Sequence, residues 1–252
     1  MLLDEFENSR AVIEPTDEGI RGIGEICDTI IFTFNGEIVN RLSQMEKVYE
    51  GGYLQNLNGK LPWYIYQEGN YKVAVTMAII GAPMAVGQLE ELKAKGFKNF
   101  IILGSCGVLD KSLQADKIIL PCSALRDEGT SYHYAAASDE IAYDHALLLT
   151  MEKALDKAGI EHVGTKTWTT DAFYRDTPEK VRRRLAAGAQ VVEMEASAIM
   201  AWAQFRQANV YQFFYTADYV DHHNQEWDTR LEFRTTDVMT FFKVALAIAK
   251  EL

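Results

Sequence analysis

Short apolar segments alternate with helix-like segments along most of this chain of 252 residues. The segments that read as strands are 28–34, 62–67, 71–78, 99–103, 117–124, 163–169, 191–192 and 210–216. The segments that read as helices are 37–45, 81–95, 141–158, 178–187, 196–206 and 230–252. Strands that alternate with helices form a mixed, mainly parallel sheet with helices on both faces. The pattern therefore predicts an α/β fold of three layers.

The chain divides into a short arm and one domain. Residues 1–27 are polar and punctuated by glycine, which predicts an N-terminal arm with little regular structure. No internal repeat or low-complexity linker interrupts the remainder, so 28–252 is predicted to be a single domain. With 48% apolar and 24% charged residues, the chain has the balance of an ordinary globular protein with a sizeable core.

The net charge and the cysteine content limit the classes of partner and the cell compartment that fit this chain. The net charge of -11 argues against nucleic acid or an anionic membrane as a partner. The N-terminus lacks the pattern of a signal peptide, and no apolar run approaches the roughly 20 residues of a membrane span. The three cysteines fit a reducing cytoplasm and form no metal-binding pattern. The adjacent His222 and His223 read as loop residues, so no metal site is predicted.

The stretch 191–199 places Glu193 and Glu195 on either side of Met194, where an apolar run ends and a helix begins. Two interpretations are open. Carboxylates at the carboxyl end of a strand can face a ligand, because ligands of α/β proteins collect at that edge. Alternatively, both acids lie in the first helical turn, where the helix dipole favours negative charge.

Other polar or aromatic groups also follow predicted strands, namely Ser105, Asp171, Phe173 and Asp218. If these strands are parallel, their ends meet at one edge of the sheet. An aromatic ring such as Phe173 can stack on a flat base, and an acid such as Asp218 can protonate a leaving group. Each residue taken singly also fits a structural role, in the core or in a turn. The recurrence at strand ends favours a site for a small polar molecule with an aromatic part.

The turn-like segment Gly-Ser-Cys-Gly at 104–107 suggests a second chemistry, a cysteine nucleophile at Cys106. Nucleophile elbows of that kind need Gly-x-Cys-x-Gly followed directly by a long helix. Here the glycine spacing differs and 108–114 is short, so Cys106 is predicted to be a buried structural thiol.

Four segments together resemble a known family: 104–107 (Gly-Ser-Cys-Gly), 170–174 (Thr-Asp-Ala-Phe-Tyr), 192–196 (Val-Glu-Met-Glu-Ala) and 216–218 (Thr-Ala-Asp). Their order and spacing are similar to those of the nucleoside phosphorylase family, which includes purine nucleoside phosphorylase, uridine phosphorylase and methylthioadenosine nucleosidase. The resemblance covers about residue 28 to the C-terminus. It implies a sheet partly closed into a barrel, and cleavage of a nucleoside N-glycosidic bond by a pentosyltransferase.

The resemblance also implies roles for individual residues. By matching position, Glu195 would bind the ribose 2′- and 3′-hydroxyls, and Met194 would pack beneath the sugar. Phe173 would stack on the base, with Glu193 near it. Asp218 matches the acid that protonates purine N7 as the bond breaks. An anionic sugar site and a protonated leaving base would both stabilise an oxocarbenium-like transition state.

The base implied is a purine, and the implied role is purine salvage. Pyrimidine-specific relatives lack the acid at the position of Asp218 and carry a Gln and an Arg shortly after the stacking Phe. In this chain those two positions are Thr177 and Glu179.

The chain departs from the family pattern where phosphate binds. After the first strand the family has a Gly-Asp-Pro-x-x-Arg-like loop, whereas this chain has residues 33–38 (Thr-Phe-Asn-Gly-Glu-Ile). The family's Arg three residues before the Ser of the glycine segment is Ile102 here. A third Arg, expected near 50–53, is absent from that segment. Ser105 and Gly104 remain as candidate phosphate-binding residues. An anion site without guanidinium groups lacks the strongest bidentate contacts. Arg126, in a polar loop, is a possible substitute.

Three functions therefore stay open from the sequence. The first is phosphorolysis to free base and ribose 1-phosphate, with phosphate as co-substrate and no cofactor. The second is hydrolysis, with Glu37 orienting water as a glutamate does in the family's nucleosidases, although Glu37 equally fits a first-turn helix acid. The third is nucleoside binding without catalysis. The resemblance further implies a homo-oligomer, a dimer or a hexamer built as a trimer of dimers.

Overall fold

A computed structural model describes residues 4–16, 24–56, 59–113, 117–221, 226–228 and 236–252. The strands are β1 (Thr29–Thr33), β2 (Val48–Asn56), β3 (Gly59–Glu68), β4 (Tyr71–Met77), β5 (Asn99–Val108), β6 (Ile118–Asp127), β7 (Glu140–Ala142), β8 (His162–Thr170), β9 (Ala189–Glu193), β10 (Asn209–Asp221) and β11 (Glu226–Asp228). The helices are α1 (Gly36–Ser43), α2 (Ala82–Lys95), α3 (His145–Ala158), α4 (Pro178–Ala186), α5 (Ala196–Arg206) and α6 (Met239–Ala249).

The strands form one mixed sheet that closes on itself at one end. The order is β11-β10-β6-β8-β9-β5-β1-β4-β3-β2, and β7 pairs with β6. An additional pairing of β10 with β5 completes a circuit through β6, β8 and β9. From β5, the strands β1, β4, β3 and β2 extend as an open sheet, while β11 pairs with β10. The fold is thus the α/β architecture expected from the sequence, with a sheet partly closed into a barrel.

The strands near the candidate residues form two parallel sets. β1 runs parallel to β4 and β5, and β5 runs parallel to β10. β8 runs parallel to both β6 and β9. The two sets run in opposite directions, because β9 is antiparallel to β5 and β6 is antiparallel to β10. The candidate residues therefore do not share one parallel edge. The carboxyl ends of β5 and β9 still adjoin, since Gly107 and Val108 pair with Val192 and Val191.

Helices cover the sheet on both faces. On one side α2 and α5 pack against β1, β3 and β4 in a cluster that includes Trp63, Phe100 and Trp202. On the other side α1, α3 and α6 pack in a second cluster that includes Met151 and Phe242. Burial of these large apolar groups supplies most of the stabilisation of such layers, at about 25 cal/mol per Å² removed from water.

The structure places the ends of several strands and helices at other residues than the sequence predicts. The strand expected to end at residue 103 continues to Val108, because 104–108 pair with β10 on one side and in part with β9 on the other. The helix expected from 141 begins at His145, since 140–142 pair with β6 and Asp144 caps the helix by accepting from the amides of Ala146 and Leu147. The strand β2 at 48–56 is not predicted from the sequence. The strand β10 continues beyond its predicted end at residue 216, as far as Asp221.

Some expectations fall wholly or partly outside the described residues, namely the loop assignment of His222 and His223 and the start of the last helix at 230–235. Phe6 of the predicted arm packs edge-to-face on Phe205, and Glu14 pairs with Arg206 at 2.9 Å. The division into an arm and one domain stays a prediction. None of the helices in the described part of the chain has the length and apolar character needed to cross a membrane.

Candidate active site

Asp218 and Val192 flank Gly107 across neighbouring strands. Gly107 of β5 pairs with Asp218 of β10 on one side and with Val192 of β9 on the other. A Cβ at Gly107 would lie 3.1 Å from Val192 Cγ1 and 3.4 Å from Asp218 Oδ1. The glycine therefore lets the two side chains approach each other at the edge where strand ends meet.

A β-bulge sets the direction of Asp218. Thr216 pairs with Cys106 and Asp218 pairs with Gly107, so Ala217 is an extra residue in β10. Because side chains alternate along a strand, inserting one residue moves the next side chain to the other face. The bulge thus turns Asp218 towards the space above Gly107. The sequence segment expected to be a turn, 104–107, is instead a strand that carries this pairing.

Glu193 holds the first turn of α5. Its Oε2 accepts hydrogen bonds from the backbone amides of Glu195 at 2.7 Å and Ala196 at 2.6 Å. Its Oε1 accepts from the hydroxyls of Thr167 at 3.1 Å and Thr169 at 2.6 Å. Burial raises the pKa of Glu193, while these hydrogen bonds oppose the rise. The carboxylate is therefore engaged in capping the helix; a contact between Glu193 and a base stays a prediction.

Two further hydrogen bonds brace the same turn. The amide of Ser197 donates to Thr169 Oγ1 at 3.0 Å, and the hydroxyl of Ser197 donates to Glu128 Oε1 at 2.8 Å. Glu128 also accepts from the amide of Ser131 at 2.9 Å. These contacts tie the ends of β6, β8 and β9 to the start of α5, so the position of Glu195 is set from several strands.

Glu195 occupies the N-cap position of α5 but does not use its side chain to cap the helix within the described residues. Its carboxylate instead accepts a hydrogen bond from the amide of Gly81 at 2.6 Å. The residue is only 7% exposed. Burial raises the pKa of Glu195 to about 8, and the neighbouring charge of Glu193 adds to the rise. Such a buried acid is typical of a functional site.

Phe173, the residue predicted to stack on a base, lies on a short 3-10 helix after β8. Phe173 is 52% exposed and its ring centroid lies 4.1 Å from that of Tyr174. The loop before it is held by Asp171, whose Oδ2 accepts from the amide of Gly129 at 3.0 Å. Phe173 thus presents a ring at the surface, where a flat ligand can reach it, and Met194 lies half-buried between the two carboxylates.

Ser105 opens onto a cavity of about 1140 Å³ between α1, β10 and α6. Asn35, Glu37 and Thr216 also line it. Gly104 is buried, and a Cβ there would lie 3.1 Å from the Phe34 ring. Gly104 therefore allows Phe34 to pack closely, while Ser105 presents its exposed side chain to the cavity.

Two of the basic side chains that line this cavity, Arg41 and Lys117, are paired with acids. Arg41 contacts Asp237 at 2.6 Å and Glu37 at 3.5 Å. Lys117 lies 3.7 Å from Glu161, and Lys243 is a further basic residue of the lining. Glu37 thus forms an ion pair typical of an exposed helix, as its structural interpretation expects. Its role in orienting water stays a prediction.

Arg126 does not substitute for the absent phosphate-binding arginines. Its guanidinium donates to the hydroxyls of Ser131 and Ser138 and to the carbonyls of Ala135 and Ala136. The residue is 6% exposed, and its donors hold the loop that follows β6.

Some residues of this arrangement were missed by sequence reasoning. Thr167 and Thr169 read only as strand residues, and Glu128 read as part of a polar loop. Gly81 was recognised as the start of a helix, but its contact with Glu195 joins residues 114 positions apart. The described residues contain no group of three or more His, Cys, Asp or Glu side chains arranged to hold a metal ion.

Comparison with known proteins identifies the family. The model of the phosphorylase superfamily matches residues 29–250. A guanosine phosphorylase of Halorubrum lacusprofundi is 31% identical over 206 residues, which cover 81% of this chain and 76% of that protein. A DeoD-type purine nucleoside phosphorylase of Caldanaerobacter subterraneus is 29% identical over 185 residues, covering 71% and 78%.

Solved structures agree on the fold. Purine nucleoside phosphorylase of Toxoplasma gondii superposes with a TM-score of 0.71 at 19% identity, covering 89% of each chain. Uridine phosphorylase of Vibrio fischeri gives 0.69 at 18% identity, covering 98% of this chain and 96% of the other. The chain belongs to the phosphorylase superfamily. The resemblance inferred from the four sequence segments is confirmed, as is assignment to a family of pentosyltransferases.

Glu193→Gln tests the cap of α5. A neutral amide cannot accept from all the donors that surround the carboxylate, so we expect unfolding to become easier by about 2 kcal/mol, the scale of lost hydrogen bonds to a charged group. Urea denaturation measures this change. The exposed Glu46→Gln is the matched control and should leave the midpoint unaltered. Equal midpoints for both variants would contradict the capping role.

The raised pKa of Glu195 predicts a pH-dependent stability. Between the ordinary value of 4.5 and about 8, the folded chain holds a proton that the unfolded chain has released. The free energy of unfolding should therefore fall as pH rises from about 5 to about 8, by at most about 1.4 kcal/mol per pH unit from this group. Glu195→Gln should lose that dependence, while the exposed Glu161→Gln should keep it. Parallel pH profiles for all three proteins, from urea denaturation, would contradict this assignment.

Proposed function

We propose that this protein cleaves the N-glycosidic bond of a purine nucleoside by phosphorolysis, releasing the free base and ribose 1-phosphate. The observation that carries the proposal is the buried Glu195 carboxylate, held at the edge of the sheet where the Gly107–Asp218 pair also lies. Glu195 would accept hydrogen bonds from the ribose 2′- and 3′-hydroxyls, and Met194 would pack beneath the sugar.

In the reaction, the bond between the anomeric carbon and the base nitrogen breaks while a phosphate oxygen bonds to the same carbon. Asp218 would donate its proton to N7, so the base leaves neutral. Phe173 would stack on the base and restrict its orientation. The transition state carries positive charge on the sugar, which a nearby carboxylate stabilises most when water is excluded. Burial of Glu195 fits that requirement.

The choice of a purine rests on three supports. The first is the acid Asp218, bulged towards Gly107, which can protonate a purine at N7. The second is the relatives named guanosine phosphorylase and purine nucleoside phosphorylase. The third is that Thr177 and Glu179 stand where a uracil-binding Gln and Arg would be expected.

Phosphate as co-substrate is supported by the relatives' names and by the exposed Ser105 at the cavity. Its hydroxyl and the backbone around Gly104 would provide hydrogen bonds to phosphate oxygens. The cavity of about 1140 Å³ has room for an anion, but Glu195, Met194, Phe173 and Asp218 are not among the residues that line it. No cofactor takes part in this proposal.

Hydrolysis is the second candidate, favoured by one observation. The donors of Arg126 are engaged in its own loop and Arg41 is paired with Asp237, so neither guanidinium is presented to an anion. A weakly held phosphate would leave water as the attacking group, with Glu37 to orient it. A nucleoside-binding protein without catalysis is the remaining alternative.

We also propose that the protein is a cytoplasmic homo-oligomer, a dimer or a hexamer. Met77, Ile80 and Met84 lie around Gly81 and are 44%, 65% and 37% exposed. An apolar patch of this kind beside a site is typical of a surface that a second subunit covers.

Base release from inosine, guanosine, adenosine and uridine, with and without phosphate, tests the function. We expect purine release that requires phosphate and yields ribose 1-phosphate. Equal release without phosphate would indicate hydrolysis. Binding without turnover would indicate the non-catalytic alternative, and preference for uridine would overturn the purine assignment.

Asp218→Asn tests the general acid. Loss of proton donation should lower purine kcat by about 10²- to 10⁴-fold. Asp156→Asn, at a side chain that is 75% exposed on α3, is the matched control and should keep native turnover. Steady-state kinetics on the best purine nucleoside measures both. Near-native turnover of Asp218→Asn would remove Asp218 from the mechanism.

A further inference from the structure

We propose that Gly81 is a positioning residue for Glu195, and that its backbone amide sets how strongly the protein discriminates nucleosides by their ribose hydroxyls. The inference deepens the proposed function, since it rests on Glu195 being the sugar-binding carboxylate. It concerns a residue that lies outside every motif by which the family was recognised.

The contact joins two helix starts. Gly81 lies between β4 and α2, and its N–H donates to Glu195 Oε1 at 2.6 Å. The carbonyl of the same residue accepts from the amides of Met84 and Ala85, at 3.1 and 3.0 Å, and so begins α2. One residue therefore starts α2 through its carbonyl and holds the N-cap side chain of α5 through its amide.

Glu195 is available for this contact because other groups cap α5. Glu193 accepts from the amides of Glu195 and Ala196, and Thr169 accepts from that of Ser197. Burial and the nearby charges of Glu193 and Asp171 raise the pKa of Glu195, whereas hydrogen bonds from the amides of Gly81 and Met194 lower it. The Gly81 amide thus both orients the carboxylate and stabilises its ionised form, which is the better acceptor for a hydroxyl.

Glycine is required at 81 by conformation. Its φ of 102° and ψ of 136° lie where L-residues are strained. A Cβ at this position would meet no atom of the described residues within 4 Å. An alanine methyl group therefore has room, but its backbone would rotate towards negative φ. That rotation would carry the amide away from Glu195 Oε1.

Displacing the Glu195 carboxylate should affect a nucleoside only if its sugar carries the 2′- and 3′-hydroxyls. A ribonucleoside uses Glu195 through its 2′- and 3′-hydroxyls, and small displacements of a positioning group weaken such contacts. A 2′,3′-dideoxynucleoside has no hydroxyl to donate to this carboxylate. Displacing the carboxylate should therefore weaken the binding of ribonucleosides and leave the binding of dideoxynucleosides nearly unchanged. A general disturbance of the fold would weaken the binding of both kinds of compound to the same extent.

The test compares Gly81→Ala with Gly87→Ala. Gly87 lies in the same helix α2, and a Cβ there also meets no atom of the described residues within 4 Å. Calorimetry gives the Kd, and kinetics the kcat/KM, for guanosine, inosine and adenosine, each beside its 2′,3′-dideoxy counterpart. For Gly81→Ala we expect about a tenfold or greater loss with the ribonucleosides, the scale of one charged hydrogen bond, and less than about twofold with the dideoxy compounds. Gly87→Ala should match the native protein.

The outcomes separate this inference from the proposed function. Equal losses on both members of each pair, or no loss, would overturn the role of Gly81. Native protein that binds ribonucleosides better than dideoxynucleosides, but turns over neither, would overturn the catalytic proposal and leave the Gly81 comparison intact. Native protein with no such preference in binding would overturn the inference, because Glu195 would then bind no ribose.

A measurement on the native protein covers the case in which Gly81→Ala does not fold. The amide proton of Gly81, observed by NMR, should shift downfield as Glu195 ionises around pH 8. The same titration should vanish in Glu195→Gln. A Gly81 amide that does not respond between about pH 6 and 10, or that responds equally in Glu195→Gln, would show that the two groups are not hydrogen-bonded.

Discussion

Capping of α5 by Glu193 is the interaction on which the rest of the site depends. A helix start leaves amides without intrahelical acceptors, and α5 starts in the interior, where each unpaired donor would cost about 1–3 kcal/mol. Glu193 at the end of β9 and Thr169 at the end of β8 accept these amides. The strand ends, rather than solvent, therefore set where the helix begins. The Glu195 side chain at the N-cap position is left to face Gly81.

Two buried carboxylates so close together have different environments and hence different uses. Glu193 is surrounded by donors and acts within the protein. Glu195 has a pKa raised to about 8 by burial, so ionising it costs free energy in the unbound protein. In the proposed function, a sugar that offers hydroxyl donors, and that becomes positively charged as its bond to the base breaks, would relieve this cost. Strain of this kind is typical of sites where function takes precedence over stability.

Much of the fold could be predicted because it follows from local patterns. The helix at 82–95 was anticipated from Gly81-Ala82-Pro83 at its start and from Gly96, which ends it with a φ of 114°. The strand-to-helix junction at 191–199 was also correct. Segment 104–107 was wrong, since two glycines read locally as a turn. There the pairing with β9 and β10 overrides the local preference. The helix expected from residue 141 failed for the same reason, through pairing with β6.

By itself, the sequence determined the family, the layered α/β class and the strand-to-helix junction that carries Glu193 and Glu195, because these depend on residue type, periodicity and spacing. Ser105 and Asp218 were expected after strands but lie within β5 and β10. Only the tertiary structure decided what the candidate side chains contact. The bulge at Ala217 sets the direction of the Asp218 side chain. Arg126 donates hydrogen bonds to groups of its own loop. The amide of Gly81 donates to Glu195, 114 positions away in the sequence. Hydrogen bonds between distant segments depend on strand register and helix placement, and no local pattern of residues carries that information.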